Sequence, residues 1–141
     1  MRRPSRIVVG YDGSAHADRA LDFALMMADS CGAEVLVLHA TGLLERYEHR
    51  DVTHLPDQVA ARVAASRLPP ARVHFAFDDG DPCTTLLRAS ALGRSADLIV
   101  VGTRGHTTHG GRLLGSTSLE LAEHATVPVV IVPLQEGPTR A

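Results

Sequence analysis

The chain has 141 residues, a length suited to one domain, and carries 14 basic against 16 acidic residues, for a formal net charge of −2. That balance supplies no field to draw it to nucleic acid or an anionic membrane, and 45% hydrophobic with 21% charged residues sets it apart from disordered chains. All fourteen basic residues are arginine, which excludes a lysine Schiff base, a lysine general base and a P-loop lysine together.

The chain opens on Arg2-Arg3, but the apolar stretch behind it, Ile7-Val8-Val9, stops at Gly10 and is too short for an export signal. No run approaches the length of a bilayer span, so a cytoplasmic location without membrane contact is expected. Ile7-Val8-Val9 is the first of four apolar runs that lack polar alternation. The others are Val35 to Leu38, Leu98 to Val101 and Val129 to Val132. Their β-branched content suits strands of a parallel sheet covered on both faces. A fifth run, Val73-His74-Phe75-Ala76-Phe77, does alternate and reads as an edge strand.

Helices are expected between the strands. Residues 15 to 29 place Ala17, Ala20, Leu21, Ala24, Leu25 and Ala28 on one stripe, with Ser14 as N-cap and Gly32 as stop. Residues 41 to 56 show no regular pattern and read as a loop. Residues 57 to 67 form an Ala-rich helix bounded by Pro56 and Pro69-Pro70. Gly80-Asp81-Pro82 starts a third helix, with Asp81 capping and Pro82 in the first turn, that runs toward Gly93. The fourth has Thr117 and Glu120 at capping-box spacing and continues to His124. The tail from 135 to 141 is expected to be disordered.

Residues 1–141 thus read as a single α/β domain of order βαβαβαβαβ. Right-handed crossovers and an edge-like third strand predict an open five-stranded parallel sheet of order 3-2-1-4-5, with helices on both faces. Ligands of such sheets bind beyond the carboxyl ends of the strands where the order reverses, here between strands one and four. Two loops meet there: Gly10-Tyr11-Asp12-Gly13-Ser14, and the glycine-rich stretch beginning at Gly102.

In that second stretch, Gly102, Gly105, Gly110, Gly111 and Gly115 bare the backbone ahead of the fourth helix. Exposed amides and a helix N-terminus make a cradle for phosphate. Glycine also suits a plain connection, and from the glycines alone both readings stand. Without lysine, backbone dipoles carry the charge stabilisation, with help from Arg104, Arg112 or a divalent cation.

The spacing favours the cradle. Gly102-x-x-Gly105, nine residues, then Gly115-Ser116 resembles the G-2x-G-9x-G-(S/T) signature of the universal stress protein family. Arg6 to Ser14, Gly80-Asp81-Pro82, Ala96 to Gly102 and Val127 to Val132 resemble that family's other landmarks, while residues 41 to 70 match poorly. The resemblance implies ATP as ligand, with Mg²⁺, in a stress-related regulatory protein. It implies that Asp12 and the backbone near Ala40 serve the base end, with Gly10 also among the nucleotide-binding residues. Val101 and Gly102 would lie by the ribose, and Gly105, Gly115, Ser116 and Thr117 by the phosphates. Thr117 departs from the aliphatic residue common there; its hydroxyl either reaches phosphate or caps the helix. The resemblance also implies a homodimer through the last strand, residues 128–132, whose apolar edge invites pairing.

Other features read more plainly. Asp12 either contacts base or ribose or forms an Asx turn, and its place after the first strand favours binding. His106 and His109 have no acidic or thiol companion in their insert and read as solvated loop residues. His39 reads as a satisfied core or pocket-rim histidine, Asp78-Asp79 as turn residues, and Cys31 and Cys83 as reduced thiols. No nucleophile–base pair or metal cluster is evident, so no catalytic residue is assigned. The alternatives to a regulatory ATP-binding protein are a slow ATPase or phosphotransfer protein using the same pocket, and a structural dimer without nucleotide. A response-regulator receiver is excluded because it needs a lysine, and a dinucleotide-binding enzyme because its glycine motif would follow the first strand.

Overall fold

The computed structural model describes residues 2–41, 51–91, 96–103 and 115–134. Five parallel strands, β1 (Arg6–Gly10), β2 (Glu34–Ala40), β3 (Val73–Asp78), β4 (Leu98–Gly102) and β5 (Val129–Val132), form one sheet. Their order is β3-β2-β1-β4-β5, with Val8 opposite Leu36 on one side and Ile99 on the other. The expected sheet order therefore holds.

Among the described residues four α-helices flank the sheet: α1 (Ala15–Cys31), α2 (Leu55–Ala65), α3 (Pro82–Ser90) and α4 (Ser116–His124). The absence of polar alternation in the strands follows from this layering. Ile7, Val9, Val35, Val37 and Val100 pack in the layer of α1 and α2, whereas Val8, Leu38, Ile99 and Val101 pack with Cys83, Leu86 and Leu121 of α3 and α4. Both faces are dry, so both parities must be apolar. β3 forms an edge: Val73, Phe75 and Ala76 are half-buried, while His74 and Phe77 are exposed.

The caps of α1 follow the sequence. The Ser14 side chain accepts from the Ala17 amide, and Gly32 closes the helix in the left-handed region at φ 74°. The C-terminus of α1 has no basic residue of its own. Arg72 supplies one from the short 3₁₀ turn Pro70–Arg72, donating to the carbonyls of Ala28 and Ala33.

Boundaries of three helices differ from expectation, and α2 also ends at Ala65 rather than at residue 67. α2 begins at Leu55, so Pro56 and the end of the expected loop lie in its first turn, where proline's missing N–H is no loss. α3 ends at Ser90, short of Gly93, which lies outside the described residues. α4 is capped by Gly115, which offers no side chain; Thr117 is inside the helix, so the expected Thr117–Glu120 capping box does not form. The Gly115 carbonyl already accepts from the Leu119 amide and so begins the helix two residues earlier. Residues 42–50, the insert with His106 and His109, and the tail from 135 also lie outside the described residues.

Candidate functional site

The site begins where β1 ends. A Cβ at Gly10 would come 3.0 Å from Leu86 Cδ1 and 3.3 Å from Val101 Cγ1, so glycine keeps this face close to α3. The next residue, Tyr11, extends the ladder by donating its amide to Leu38 O at 2.9 Å. Its carbonyl accepts from His39 Nδ1 at 2.7 Å, which requires the proton on that nitrogen. His39 is buried and meets Phe77 edge-on, as a satisfied histidine at the pocket rim.

The Tyr11 side chain runs into the core, and its hydroxyl donates to Asp18 Oδ1 at 2.6 Å. Burial, and then the Asp18 carboxylate, push the phenol well above the usual tyrosine range. Asp12 turns the chain: its Oδ1 accepts from the Ser14 amide at 3.0 Å, an Asx turn over Gly13 at φ 81°. The two readings of Asp12 are therefore compatible, because the turn holds its carboxylate at the mouth of the cleft.

The second loop is fastened at both ends. At its start, Thr103 Oγ1 pairs with His16 Nδ1 of α1 at 2.9 Å. At its close, the Gly115 amide donates to the Thr103 carbonyl at 2.6 Å, and Ser118 Oγ donates to the Gly102 carbonyl at 2.8 Å. These bonds seat the N-terminus of α4 against the end of β4. The Gly115 amide is thus occupied in closing the loop. The amides of Ser116, Thr117 and Ser118 fall in the first turn and have no acceptor within the helix.

Of the nine residues expected at the site, eight border one cleft: Gly10, Asp12, Ala40, Val101, Gly102, Gly115, Ser116 and Thr117. Gly105 lies outside the described residues. The cleft opens at the carboxyl edge of the sheet between β1 and β4, where the strand order reverses. Part of its wall was not expected from sequence: Pro82, Thr85 and Leu86 of α3, together with Ala17, Leu38 and Ser118. The signal for the α3 wall lay in the Asp81-Pro82 helix start, since a helix following a parallel strand must begin at that same edge. Asp81 caps α3 by accepting from Thr84 N at 3.0 Å, and hydrogen bonds from the Thr84 side chain and then its amide hold its carboxyl below the usual range.

The cleft therefore pairs apolar walls from Leu38, Leu86 and Val101, suited to a flat ring, with a helix N-terminus that Gly115 caps without a side chain, suited to an anion. Asp12 is the single carboxylate among its described lining residues. Among the described residues no group of three or more His, Cys, Asp or Glu could hold a metal ion, and no helix is long and apolar enough to cross a membrane. The thiols are unpaired with each other; Cys83 is buried, and burial with Glu120 beside it pushes its thiol up to about 11.

Comparisons with known proteins agree with this architecture. The universal stress protein in the QAH/OAS sulfhydrylase 3′ region of Thermus aquaticus is 35% identical over 135 residues, covering 89% of this chain and 96% of that protein. A universal stress protein of Mycolicibacterium smegmatis is 30% identical over 89% of this chain, which spans 45% of that longer protein. Among solved structures, the universal stress protein UspA from Lactobacillus plantarum shares the fold at a TM-score of 0.79 and 23% identity, over 94% of this chain and 99% of that one. A universal stress protein in complex with cAMP matches at a TM-score of 0.73 and 28% identity, also over 94% and 99%. The model of the universal stress protein family matches residues 4–133, and the chain belongs to that family.

Proposed function

We propose that the chain is a regulatory protein of the stress response that binds an adenine nucleotide, ATP, at the β1–β4 switch point. The observation that carries this reading is the N-terminus of α4, capped by Gly115 without a side chain, standing across one cleft from the Asp12 loop with apolar walls between. The base would lie toward Asp12 and Ala40, the ribose by Val101 and Gly102, and the phosphates at Gly105 and the first-turn amides of Ser116 and Thr117. Bound cAMP in a 28% identical relative supports the class of ligand.

The residues present also fit Mg²⁺ arriving with the nucleotide. The hydroxyls of Ser116 and Thr117 are hard oxygen ligands at the phosphate end, and the phosphates themselves would supply the rest. When bound, the ion would neutralise phosphate charge that arginine and helix dipole meet only in part.

The chain would act in the cytoplasm as a homodimer. Val129, Val130 and Ile131 of β5 are half-buried on a strand that, among the described residues, pairs only with β4. Pairing of residues 128–132 with a second copy would cover that edge. Sedimentation equilibrium tests this part, and a monomer at micromolar concentration counts against it.

The deciding experiment identifies any nucleotide released by denaturing the purified protein, then titrates the stripped protein with ATP by calorimetry, with and without Mg²⁺. Saturable binding that GTP does not match supports the reading. Release of no nucleotide and binding of none overturns it.

A further inference from the structure

We propose that Gln58 and Arg62 of α2 are positioning residues for the nucleotide, orienting the Asp12 carboxylate from behind the cleft; the inference rests on the nucleotide-binding reading above. Among the described residues no part of α2 borders the cleft. The helix nonetheless grips the loop that does. Leu55 packs so closely over Gly13 that a Cβ there would lie 2.7 Å from Leu55 Cδ2, and Gln58 Nε2 donates to the Gly13 carbonyl at 3.2 Å.

That carbonyl belongs to the same rigid peptide unit as the Ser14 amide. The Ser14 amide is the group that donates to Asp12 Oδ1 at 3.0 Å. Gln58 therefore fixes one end of a plane whose other end fixes the carboxylate. Gly13, at φ 81°, has unusual freedom to rotate that plane, so an external restraint matters here more than at an ordinary residue.

Asp18 anchors the arrangement. Its carboxylate side chain is only 16% exposed and meets Arg62 Nε at 3.0 Å, Gln58 Nε2 at 3.2 Å and the Tyr11 hydroxyl at 2.6 Å. Arg62 also holds Asp22 at 2.6 Å. Three donors, two from α2 and one from Tyr11 at the start of the loop, thus converge on one acidic residue in the first turn of α1. Removing Arg62 would free Asp18 to compete for Gln58 and draw it from Gly13.

The test uses the full chain as Gln58→Leu, which keeps the bulk of the side chain, and Arg62→Gln, with exposed Arg67→Ala just beyond the end of α2 as control. ATP affinity by calorimetry, urea unfolding of the nucleotide-free protein, and Ser14 amide exchange by NMR are measured on each. The expected result is a loss of affinity of about fivefold in Gln58→Leu and Arg62→Gln. Ser14 should exchange faster in Gln58→Leu, and Arg67→Ala should match wild type. Gln58→Glu, which faces the Gly13 carbonyl with an acceptor, should bind no better than Gln58→Leu. A wild-type affinity in both Gln58→Leu and Arg62→Gln overturns this inference while leaving the nucleotide site standing, and unchanged Ser14 exchange overturns it without reference to nucleotide. Failure of the wild type to bind ATP overturns the nucleotide reading and this inference with it.

Discussion

A Cβ built on Gly102 would lie 2.7 Å from the carbonyl oxygen of His16 and 2.8 Å from its Cβ. The first turn of α1 rests directly on the last residue of β4, at the point where the cleft opens. The first glycine of the signature is thus required by helix–sheet packing, whatever it offers a ligand.

Gly102→Ala is expected to destabilise the fold, because the neighbouring atoms are the His16 backbone and Cβ, which no side-chain rotation moves away. Overpacking of this kind costs about 1–3 kcal/mol. Urea unfolding of the nucleotide-free variant measures it, and a midpoint equal to wild type would mean that α1 shifts freely. Because Thr103 bonds His16, the displacement should reach the glycine loop and lower nucleotide affinity as well.

Such contacts mark how far sequence reasoning reaches. The sheet order was legible because Ile7-Val8-Val9 and Leu98 to Val101 carry apolar residues at both parities, which only a sheet covered on both faces demands. The alternating Val73 to Phe77 run likewise placed β3 at the edge. The cleft was legible because strand order decides which loops meet. Tertiary packing was not legible. α2 starts at Leu55 because that side chain covers Gly13, a contact between residues 42 positions apart. The Thr117–Glu120 pattern was a true local signal for a cap, but the loop closure from Gly115 N to Thr103 O overrode it. Glycines that read as a ligand cradle turned out to include one packing contact and one loop clasp, and no local pattern separates those uses.

Thr117 offers a test in which stability and binding move in opposite directions. It lies in the first turn of α4, where the dipole favours a carboxylate. Thr117→Asp should stabilise the nucleotide-free protein by about 0.5 kcal/mol. The same carboxylate would face the phosphates and lower ATP affinity by about tenfold or more. Thermal unfolding and calorimetry on one sample decide it. Unchanged affinity would place the phosphates elsewhere.

Cys83 makes a prediction about alkaline stability. Its folded-state value, pushed by burial and by Glu120 from 9.0 to about 11, lies above that of the unfolded chain. The folded protein therefore holds this proton more tightly. The stabilisation is fully present below pH 9 and is lost as pH rises toward 11. Unfolding free energy of wild type should fall faster across that interval than that of Cys83→Ala. At pH 8, half-buried Cys31 should alkylate well before buried Cys83 in the folded protein. Equal labelling rates would contradict the burial of Cys83.

Asp97 separates the fold from the site at the far end of the sheet. Its Oδ2 accepts from Ser5 N at 2.8 Å, Ser5 Oγ at 2.8 Å and Arg6 N at 3.0 Å, tying the entry of β1 to the entry of β4. The bonds from Ser5 hold its carboxyl below the usual range. A carboxylate depressed in the folded state contributes stability above its unfolded value near 3.8, and that contribution disappears as pH falls through the folded value. Asp97→Asn can keep an acceptor but loses the charge assistance, and the group is exposed, so the expected cost at pH 7 is only about 1 kcal/mol. The difference from wild type should shrink as pH falls through that folded value, below which both side chains are neutral. Because β1 and β4 carry their ligand loops at the opposite ends, ATP affinity should not change. A loss of affinity in Asp97→Asn would mean that the β1–β4 register itself, and not only the loops at its carboxyl edge, sets the geometry of the cleft.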